Sequence, residues 1–223
     1  MDWIDDIANE EKFWLYKQLF PDGFRGEVIY DQPYIVKLYE FLRPDELEFL
    51  IDMAKDKYSR STILIDGKLT HNPRRTSQTA ILTDNGCWEK VTHPKIEAIY
   101  RRVCILLSCS KRQIEGLMLV KYEEGEEFKE HYDYFEAGDE RALDNGGQRI
   151  ATFFVWLNDL EEDADGETEF TELGIKCIPD KGCALFWWNQ FGDSLLPETA
   201  HRGCPVKKGV KYGLNIWVRY PGW

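Results

Sequence analysis

The sequence predicts a mainly β domain, a sandwich or barrel with helices packed on its outside. From residue 116 onward, short runs of β-branched and aromatic residues are separated by Gly, Asp and Asn, which is typical of short strands joined by tight turns. Before residue 116, apolar residues recur at helical spacing. The chain has 223 residues, of which 43% are hydrophobic. This length is enough for one domain with a full hydrophobic core.

The N-terminal segment, residues 1–30, is predicted to be a helical extension, and residues 31–223 a single globular domain. The extension has apolar residues at helical spacing, and its helix is expected to end before the turn Pro21-Asp22-Gly23. No internal repeat, low-complexity tract or linker interrupts the sequence after it. The globular part is therefore not divided further.

Two helices are predicted in the first half of the globular part. A strand at 34–42 runs into a helix at 45–57, whose start is indicated by Pro44 and the acidic residues after it. A second helix at 94–108 carries aliphatic residues on one face. Between the two helices, residues 59–90 are polar and rich in turn-forming residues, so we expect this range to contain a mobile loop.

The second half of the chain is predicted to be all strand and turn. The runs have the length and composition of strands and are not separated by long helices. The predicted strands are 116–122, 127–134, 149–158, 167–173, 175–178, 182–189 and 211–220.

The charge and composition argue against several classes of protein. The net charge is −12 and the pI is near 4.9, and no basic stripe compensates, so we expect no nucleic-acid partner. No apolar run approaches the roughly 18 residues of a membrane span. The N-terminus lacks the basic and apolar regions of a signal peptide. We therefore expect a soluble, cytoplasmic protein with no membrane partner.

The six cysteines contain no CxxC pair and no dense framework. In a chain of this length, that pattern is typical of buried thiols in a reducing compartment. Cys177 and Cys183 flank a turn and could meet across a hairpin. The sequence leaves open whether these two form a disulfide.

The stretch 129-KEHYDYFEAG-138 holds a histidine and an aspartate one residue apart. Residues i and i+2 of a strand point the same way, so His131 and Asp133 are placed to bind one metal ion. A third ligand would complete the two-histidine, one-carboxylate face that is typical of non-haem Fe(II). His71 lies in a polar loop and His93 precedes a proline at a helix start, whereas His201 lies just before the last strand. His201 is the best placed third ligand.

The last predicted strand offers a cation for a carboxylate ligand. Alternation places Lys211, Gly213, Asn215, Trp217 and Arg219 on one face. A lysine that shares a face with an asparagine and a tryptophan is well suited to hold a carboxylate inside a barrel, where its ammonium acts as a point charge. From this segment alone, a solvated lysine on an edge strand remains an alternative.

These residues and their surroundings resemble the prolyl 4-hydroxylases, which are Fe(II)- and 2-oxoglutarate-dependent dioxygenases. The order His131-x-Asp133, His201 and Lys211 is that of the family's iron and 2-oxoglutarate site. The resemblance extends in unbroken order over roughly residues 34–220. The segments that carry it are 38-LYEFLRPDELEFLID-52, 74-RRTSQTAIL-82, 122-YEEGEEFKEHYDYF-135, 147-GQRIATFFVWLNDLEEDADGETEF-170 and 201-HRGCPVKKGVKYGLNIWVR-219.

The resemblance implies a fold and a set of roles. The fold is a double-stranded β-helix (jelly roll) buttressed by N-terminal helices, so that residues 31–223 would be the catalytic domain. His131, Asp133 and His201 would hold Fe(II). Lys211 would pair with the distal carboxylate of 2-oxoglutarate. The residues expected to help Lys211 are Tyr122 and Thr168, and those that match peptide-contacting positions are Arg75, Ser77, Arg149 and Trp217. The segments 62–90 and 136–147 match the family's flexible lids.

The implied reaction is hydroxylation of a peptidyl proline at C4. It would consume O2 and 2-oxoglutarate, release succinate and CO2, and use ascorbate as reductant. The implied partner is a proline-containing peptide or protein. The chain resembles the small, single-domain members of the family, and we expect a monomer or a weak homodimer.

One departure and several alternatives accompany this interpretation. Where the family often has Gly-Gly-Glu-Thr, this chain has Asp165-Gly166-Glu167-Thr168, which makes the turn geometry and the role of Thr168 less secure. The same fold could act on peptidyl lysine, a free amino acid or a nucleobase. A non-catalytic peptide-binding relative and a zinc hydrolase with the same metal ligands are further alternatives.

Overall fold

A large and a small antiparallel sheet form the body of the protein. The computed structural model describes residues 24–65, 67–83, 93–136, 143–144 and 146–220. The predicted N-terminal helix, which should end before Pro21, lies outside these residues. The division after residue 30 stays a prediction, and a strand at Arg25–Asp31 crosses it.

The strands are short except in the middle of the large sheet. Their bounds are β1 Arg25–Asp31, β2 Tyr34–Tyr39, β3 Ser59–Arg60, β4 Ile63–Ile65, β5 Lys68–Thr70, β6 Gln78–Ile81, β7 Met118–Tyr122, β8 Phe128–His131, β9 Arg149–Trp156, β10 Thr168–Phe170, β11 Ile175–Cys177, β12 Ala184–Trp188, β13 Gln190–Phe191, β14 Ser194–Leu195, β15 His201–Gly203 and β16 Lys211–Arg219. The large sheet has the order β1-β2-β12-β9-β16-β7-β6-β3, and the small sheet has the order β11-β10-β15-β8. The pairs β4–β5 and β13–β14 form separate hairpins.

Two helices cover the outer face of the large sheet. Helix α1, Pro44–Ala54, has Pro44 in its first turn and acidic residues after it, as the sequence predicts. Helix α2, Pro94–Leu107, begins with His93 as N-cap, whose ring accepts a hydrogen bond from the Lys95 amide. The apolar faces of both helices pack on one side of the sheet. The outer core includes Leu47, Leu50, Ile96, Ile99, Val103, Phe153, Phe186 and Ile216.

The opposite face of the large sheet packs on the small sheet. This inner core is aromatic and includes Tyr122, Phe154, Trp156, Phe170, Leu185 and Trp187. Because successive residues of a strand point to opposite faces, β9 and β12 supply both cores. This two-sheet arrangement confirms the predicted mainly β, jelly-roll fold with helices packed on one sheet.

Several details differ from the predictions. Residues 59–90, in which we expect a mobile loop, also contain four short strands in their described part, β3, β4, β5 and β6, that the sequence does not predict. Strands of two to four residues show too little alternation to be recognised in a sequence. The strand predicted at 127–134 ends at His131, and Asp133 lies in a bend beyond it. Cys177 and Cys183 are both free thiols, so no disulfide joins them.

Candidate active site

The two histidines of the predicted triad face each other across the small sheet. His131, the last residue of β8, is directly paired with His201, the first residue of β15. Nε2 of His131 lies 3.8 Å from Oδ1 of Asp133, and Nε2 of His201 lies 3.8 Å from Oδ2 of Asp133. The ligand atoms of the three residues all lie within 4.8 Å of one another. A single metal ion could contact all three.

Main-chain carbonyls orient both imidazoles for metal binding. Nδ1 of His131 lies 2.8 Å from the carbonyl oxygen of Lys129, and Nδ1 of His201 lies 2.9 Å from that of Thr199. Since a carbonyl can only accept, each Nδ1 carries a proton, and Nε2 is the ring atom left to bind a metal. Burial lowers the pKa of His131 well below its ordinary value, with the neighbouring His201 as a second cause. The neutral ring is the form that binds a metal.

Polar contacts from β9 and β12 surround the carboxylate of Asp133. The hydroxyl of Thr152 donates to Oδ2 at 2.8 Å, and Nδ2 of Asn189 donates to the Thr152 hydroxyl at 3.0 Å. Burial by itself would raise the pKa of Asp133, but the interactions with His201, His131 and Arg149 outweigh it and hold the pKa below its ordinary value. The carboxylate is therefore charged, as a metal ligand must be.

A narrow cavity between the two sheets contains the triad. Strands β8, β15 and β16 each contribute two or more residues to its walls, and β7, β9, β10 and β12 contribute one each. The residues that line it are Arg75, Tyr122, Phe128, His131, Asp133, Phe154, Thr168, Trp187, His201, Gly203, Lys211, Asn215 and Trp217. Alternate residues of β16 thus point inward, as the sequence predicts.

Lys211 brings a buried positive charge to this cavity. Its side chain is 1% exposed, and its ammonium group donates to the carbonyl oxygen of Gly166 at 2.6 Å. Burial lowers the pKa of Lys211 to about 8. Within the described residues, no carboxylate forms a salt bridge with it; the rings of Tyr122 and Phe154 lie beside it, and Glu167 acts on its charge only through space. A buried ammonium without a counter-ion is suited to bind an anionic ligand.

Arg75 brings a second positive charge to the cavity wall. Its guanidinium is 4.6 Å from the ring centre of Phe128, and Nη1 donates to the carbonyl oxygen of Thr62 at 3.1 Å. Nε donates to the hydroxyl of Ser77 at 3.3 Å. Ser77 is fully buried and does not line the cavity. Its contact holds Arg75 in place.

Arg149 lies beside the cavity without lining it. Its guanidinium is stacked 3.7 Å from the ring centre of Trp217 and is bound by the carboxylate of Glu115. Trp217 does line the cavity, and its buried indole N–H makes no hydrogen bond of standard geometry among the described residues. It nevertheless lies close enough to the Asp133 carboxylate to help lower the pKa of that group, so this N–H faces the metal ligand.

Most of the predicted site residues therefore meet in one cavity, but the sequence missed others. Phe128, Phe154 and Trp187 were not identified because aromatic residues in strands are ordinarily core. Thr152 and Glu115 were not identified either. Thr152 donates a hydrogen bond to Asp133, and Glu115 binds Arg149, but neither residue lines the cavity. Strand alternation on β9 and β12 bears on Thr152, Phe154 and Trp187, but not on Phe128 or Glu115, which lie outside these strands.

Comparisons with known proteins agree with this geometry. The family model described as the 2OG-Fe(II) oxygenase superfamily matches residues 117–219. Prolyl 4-hydroxylase 5 of Arabidopsis thaliana is 34% identical over 212 residues, which cover 86% of this chain and 70% of the relative. This chain belongs to the prolyl 4-hydroxylase family.

Two further family members extend the comparison. The prolyl 4-hydroxylase subunit alpha-2 of Gallus gallus is 30% identical over 205 residues, which cover 89% of this chain and 36% of that longer protein. The solved structure of the viral collagen prolyl hydroxylase from Paramecium Bursaria Chlorella virus-1, in its 2OG complex, has a TM-score of 0.66 and 29% identity. It covers 85% of this chain, and this chain covers 98% of it. The predicted family, enzyme class and cofactors, Fe(II) and 2-oxoglutarate, are confirmed.

The residues present fit both groups of a prolyl 4-hydroxylase. Two imidazoles and one carboxylate form the donor set that suits Fe(II) with open coordination positions. The Lys211 ammonium lies in the same cavity and fits the distal carboxylate of 2-oxoglutarate. No helix among the described residues is both long and apolar enough to cross a membrane.

Proposed function

We propose that this chain hydroxylates peptidyl proline at C4. The observation that carries the proposal is that one cavity contains both the His131, Asp133 and His201 triad and the unpaired ammonium of Lys211. The triad suits an oxidising metal, and the ammonium suits a dicarboxylate at a fixed distance from that metal. A zinc hydrolase would need the metal-binding triad but not the buried ammonium group.

The residues of this chain divide into groups with different tasks. His131, Asp133 and His201 would hold Fe(II), and Lys211 would bind the distal carboxylate of 2-oxoglutarate, with Tyr122 and Thr168 beside it. Bound together, iron and 2-oxoglutarate supply the oxidation chemistry, in which O2 and 2-oxoglutarate are converted to succinate and CO2 as proline is hydroxylated. The expected reductant is ascorbate.

The aromatic wall of the cavity would exclude water from the reaction. Phe128, Phe154 and Trp187 lie around the triad, and His201 is in contact with the Trp187 ring at 4.8 Å between ring centres. A dry site strengthens the attraction between Lys211 and a carboxylate, because the local dielectric is low. It also protects an oxidising centre from side reactions.

The proposed substrate is a proline-containing peptide. Arg75 offers a guanidinium donor at the cavity wall that suits a peptide carbonyl group, and Trp217 offers an aromatic surface. Ser77 would act by holding Arg75, and Arg149 would reach a peptide only if its pair with Glu115 opened. The net charge of −12 favours peptides with basic residues near the proline and disfavours nucleic acid.

The experiment is incubation with Fe(II), 2-oxoglutarate, ascorbate and a panel of proline-rich peptides, followed by mass spectrometry. We expect a gain of one oxygen on proline, located at C4 by amino-acid analysis. Alanine variants of His131, Asp133 and His201 should lose this gain and the peptide-dependent release of succinate. Unchanged turnover in all three variants would exclude this metal site, and oxidation of lysine instead would redirect the substrate assignment.

A further inference from the structure

Asp133 is not held by the strand that carries its partner ligand. Strand β8 ends at His131, and Asp133 lies in the bend that follows. The carboxylate nevertheless lies 3.8 Å from both histidine Nε2 atoms and is 7% exposed. Because a side chain in a bend has no ladder of hydrogen bonds to fix its direction, other contacts must orient it.

The first of these contacts reaches the carboxylate. Thr152, on β9, is fully buried and donates its hydroxyl proton to Oδ2 of Asp133. Asn189 is also fully buried and donates to the same hydroxyl oxygen. The hydroxyl proton of Thr152 is thereby directed at Asp133, since its oxygen already accepts from Asn189.

The second contact reaches the main chain. Nη1 of Arg149 lies 3.4 Å from the carbonyl oxygen of Asp133. Nε and Nη2 of Arg149 donate to the two carboxylate oxygens of Glu115 at 2.6 and 2.8 Å. This bidentate pair leaves the guanidinium one orientation, with Nη1 facing Asp133 and its plane against the Trp217 ring.

Glu115 itself is firmly anchored. It is 4% exposed, and its amide donates to the carbonyl oxygen of Trp217 at 2.8 Å. Nε of Arg219 lies 2.6 Å from its Oε1, so that two guanidinium groups share one carboxylate. These bonds hold the Glu115 carboxylate in place, because its rotation would break its contacts with both guanidinium groups.

We infer that Thr152 and Glu115 are positioning residues for the reaction, which orient the metal ligand Asp133 from its carboxylate and from its main chain. Neither residue lines the cavity, so neither touches substrate. Thr152 acts directly and Glu115 acts through Arg149. The inference deepens the proposed function and rests on it for the identity of the metal, but the contacts themselves are independent of the substrate.

The test measures metal binding apart from turnover. Co(II) replaces Fe(II), and its affinity and visible absorption report the number and geometry of the ligands. Contacts behind a metal ligand are typically worth 10- to 100-fold in affinity or activity. We expect Thr152→Val to weaken Co(II) binding by about 10-fold or more and to alter the spectrum. Thr152→Ser, which keeps the hydroxyl, should restore both.

Glu115→Gln removes the charge that binds Arg149 and should also weaken Co(II) binding and change the spectrum. The matched control is Glu46→Gln. Glu46 is a fully buried carboxylate in α1 that also contacts two arginines, Arg43 and Arg102, but lies away from the cavity. Both glutamine variants should lose thermal stability, and only Glu115→Gln should lose metal affinity.

Two outcomes would overturn the inference. One is Co(II) affinity and spectra in Thr152→Val and Glu115→Gln that match those of Glu46→Gln. The other is equal loss in Thr152→Val and Thr152→Ser. Wild-type protein that binds Co(II) but hydroxylates no peptide would contradict the proposed function and leave the inference standing.

Discussion

The ammonium group of Lys211 lies 2.6 Å from the main-chain carbonyl oxygen of Gly166. A single neutral acceptor replaces little of the water that a charged lysine loses on burial, so the site favours an added anion. The carbonyl also directs the ammonium, since it occupies one of its three donors and leaves the others for the cavity.

Substitution of Lys211 by alanine should weaken 2-oxoglutarate binding far more than metal binding. Removal of one partner from a buried charge pair costs about 2–5 kcal/mol, which corresponds to roughly 30-fold or more in affinity. Calorimetric titration of 2-oxoglutarate into Co(II)-loaded protein measures this loss, and Co(II) titration gives the reference. An equal loss of both affinities would assign Lys211 to the fold instead of the cosubstrate.

The affinity for 2-oxoglutarate should decrease at alkaline pH. Burial lowers the pKa of Lys211 to about 8 in the ligand-free protein, and a bound carboxylate raises it again. Below pH 8 the lysine is charged with or without ligand, so the affinity for 2-oxoglutarate does not change with pH. Above pH 8 binding requires uptake of a proton, and Kd should rise by up to about tenfold per pH unit. Lys211→Arg keeps its charge and should show no such rise; a level profile in the wild type would contradict the assignment.

Substitution of Arg75 should reduce peptide hydroxylation more than it reduces the turnover of 2-oxoglutarate. Arg75→Gln removes a guanidinium that lies against Phe128 at the cavity wall while leaving Lys211 and the metal ligands in place. We expect peptide hydroxylation to fall by about tenfold or more, while succinate release without peptide persists. Product analysis of hydroxyproline against succinate measures this ratio. Arg202→Gln, which breaks an exposed pair with Glu169, is the control and should leave the ratio unchanged.

The inward face of β16 was predictable because its pattern is long and unbroken. Over nine residues, alternation alone identifies Lys211, Asn215 and Trp217 as neighbours in one cavity. The proximity of His131 and Asp133 was predicted from the same rule, yet Asp133 lies beyond the end of its strand. The two ligands are close because they are two residues apart, but the strand does not set the direction of the carboxylate.

The contacts that set this direction have no local signal in the sequence. In the sequence, Thr152 is one residue of an apolar, strand-forming run, and Glu115 is an acidic residue before a strand. Their roles arise from pairing between β9, β16 and the chain before β7, which are far apart in sequence. The turn geometry at Asp165 was also not predictable from the sequence. Aspartate stands where the family often has glycine, and it still adopts a left-handed φ of 53°.

Gly166→Ala should reduce 2-oxoglutarate affinity through Lys211 without touching the ligand. Gly166 has φ +80°, where an L side chain is strained, and an added Cβ would lie 2.8 Å from Cδ1 of Leu160 and 3.3 Å from Cγ2 of Val206, so the Leu160 side chain or the turn must shift. A shift of the turn carries its carbonyl away from the ammonium. Gly174→Ala separates this effect from backbone strain, because Gly174 has φ +66° and its Cβ would meet nothing within 4 Å. Both variants should lose about 1 kcal/mol or more of stability. Calorimetry should find weaker 2-oxoglutarate binding only in Gly166→Ala, and equal affinities in the two variants would show that the Gly166 carbonyl does not orient Lys211.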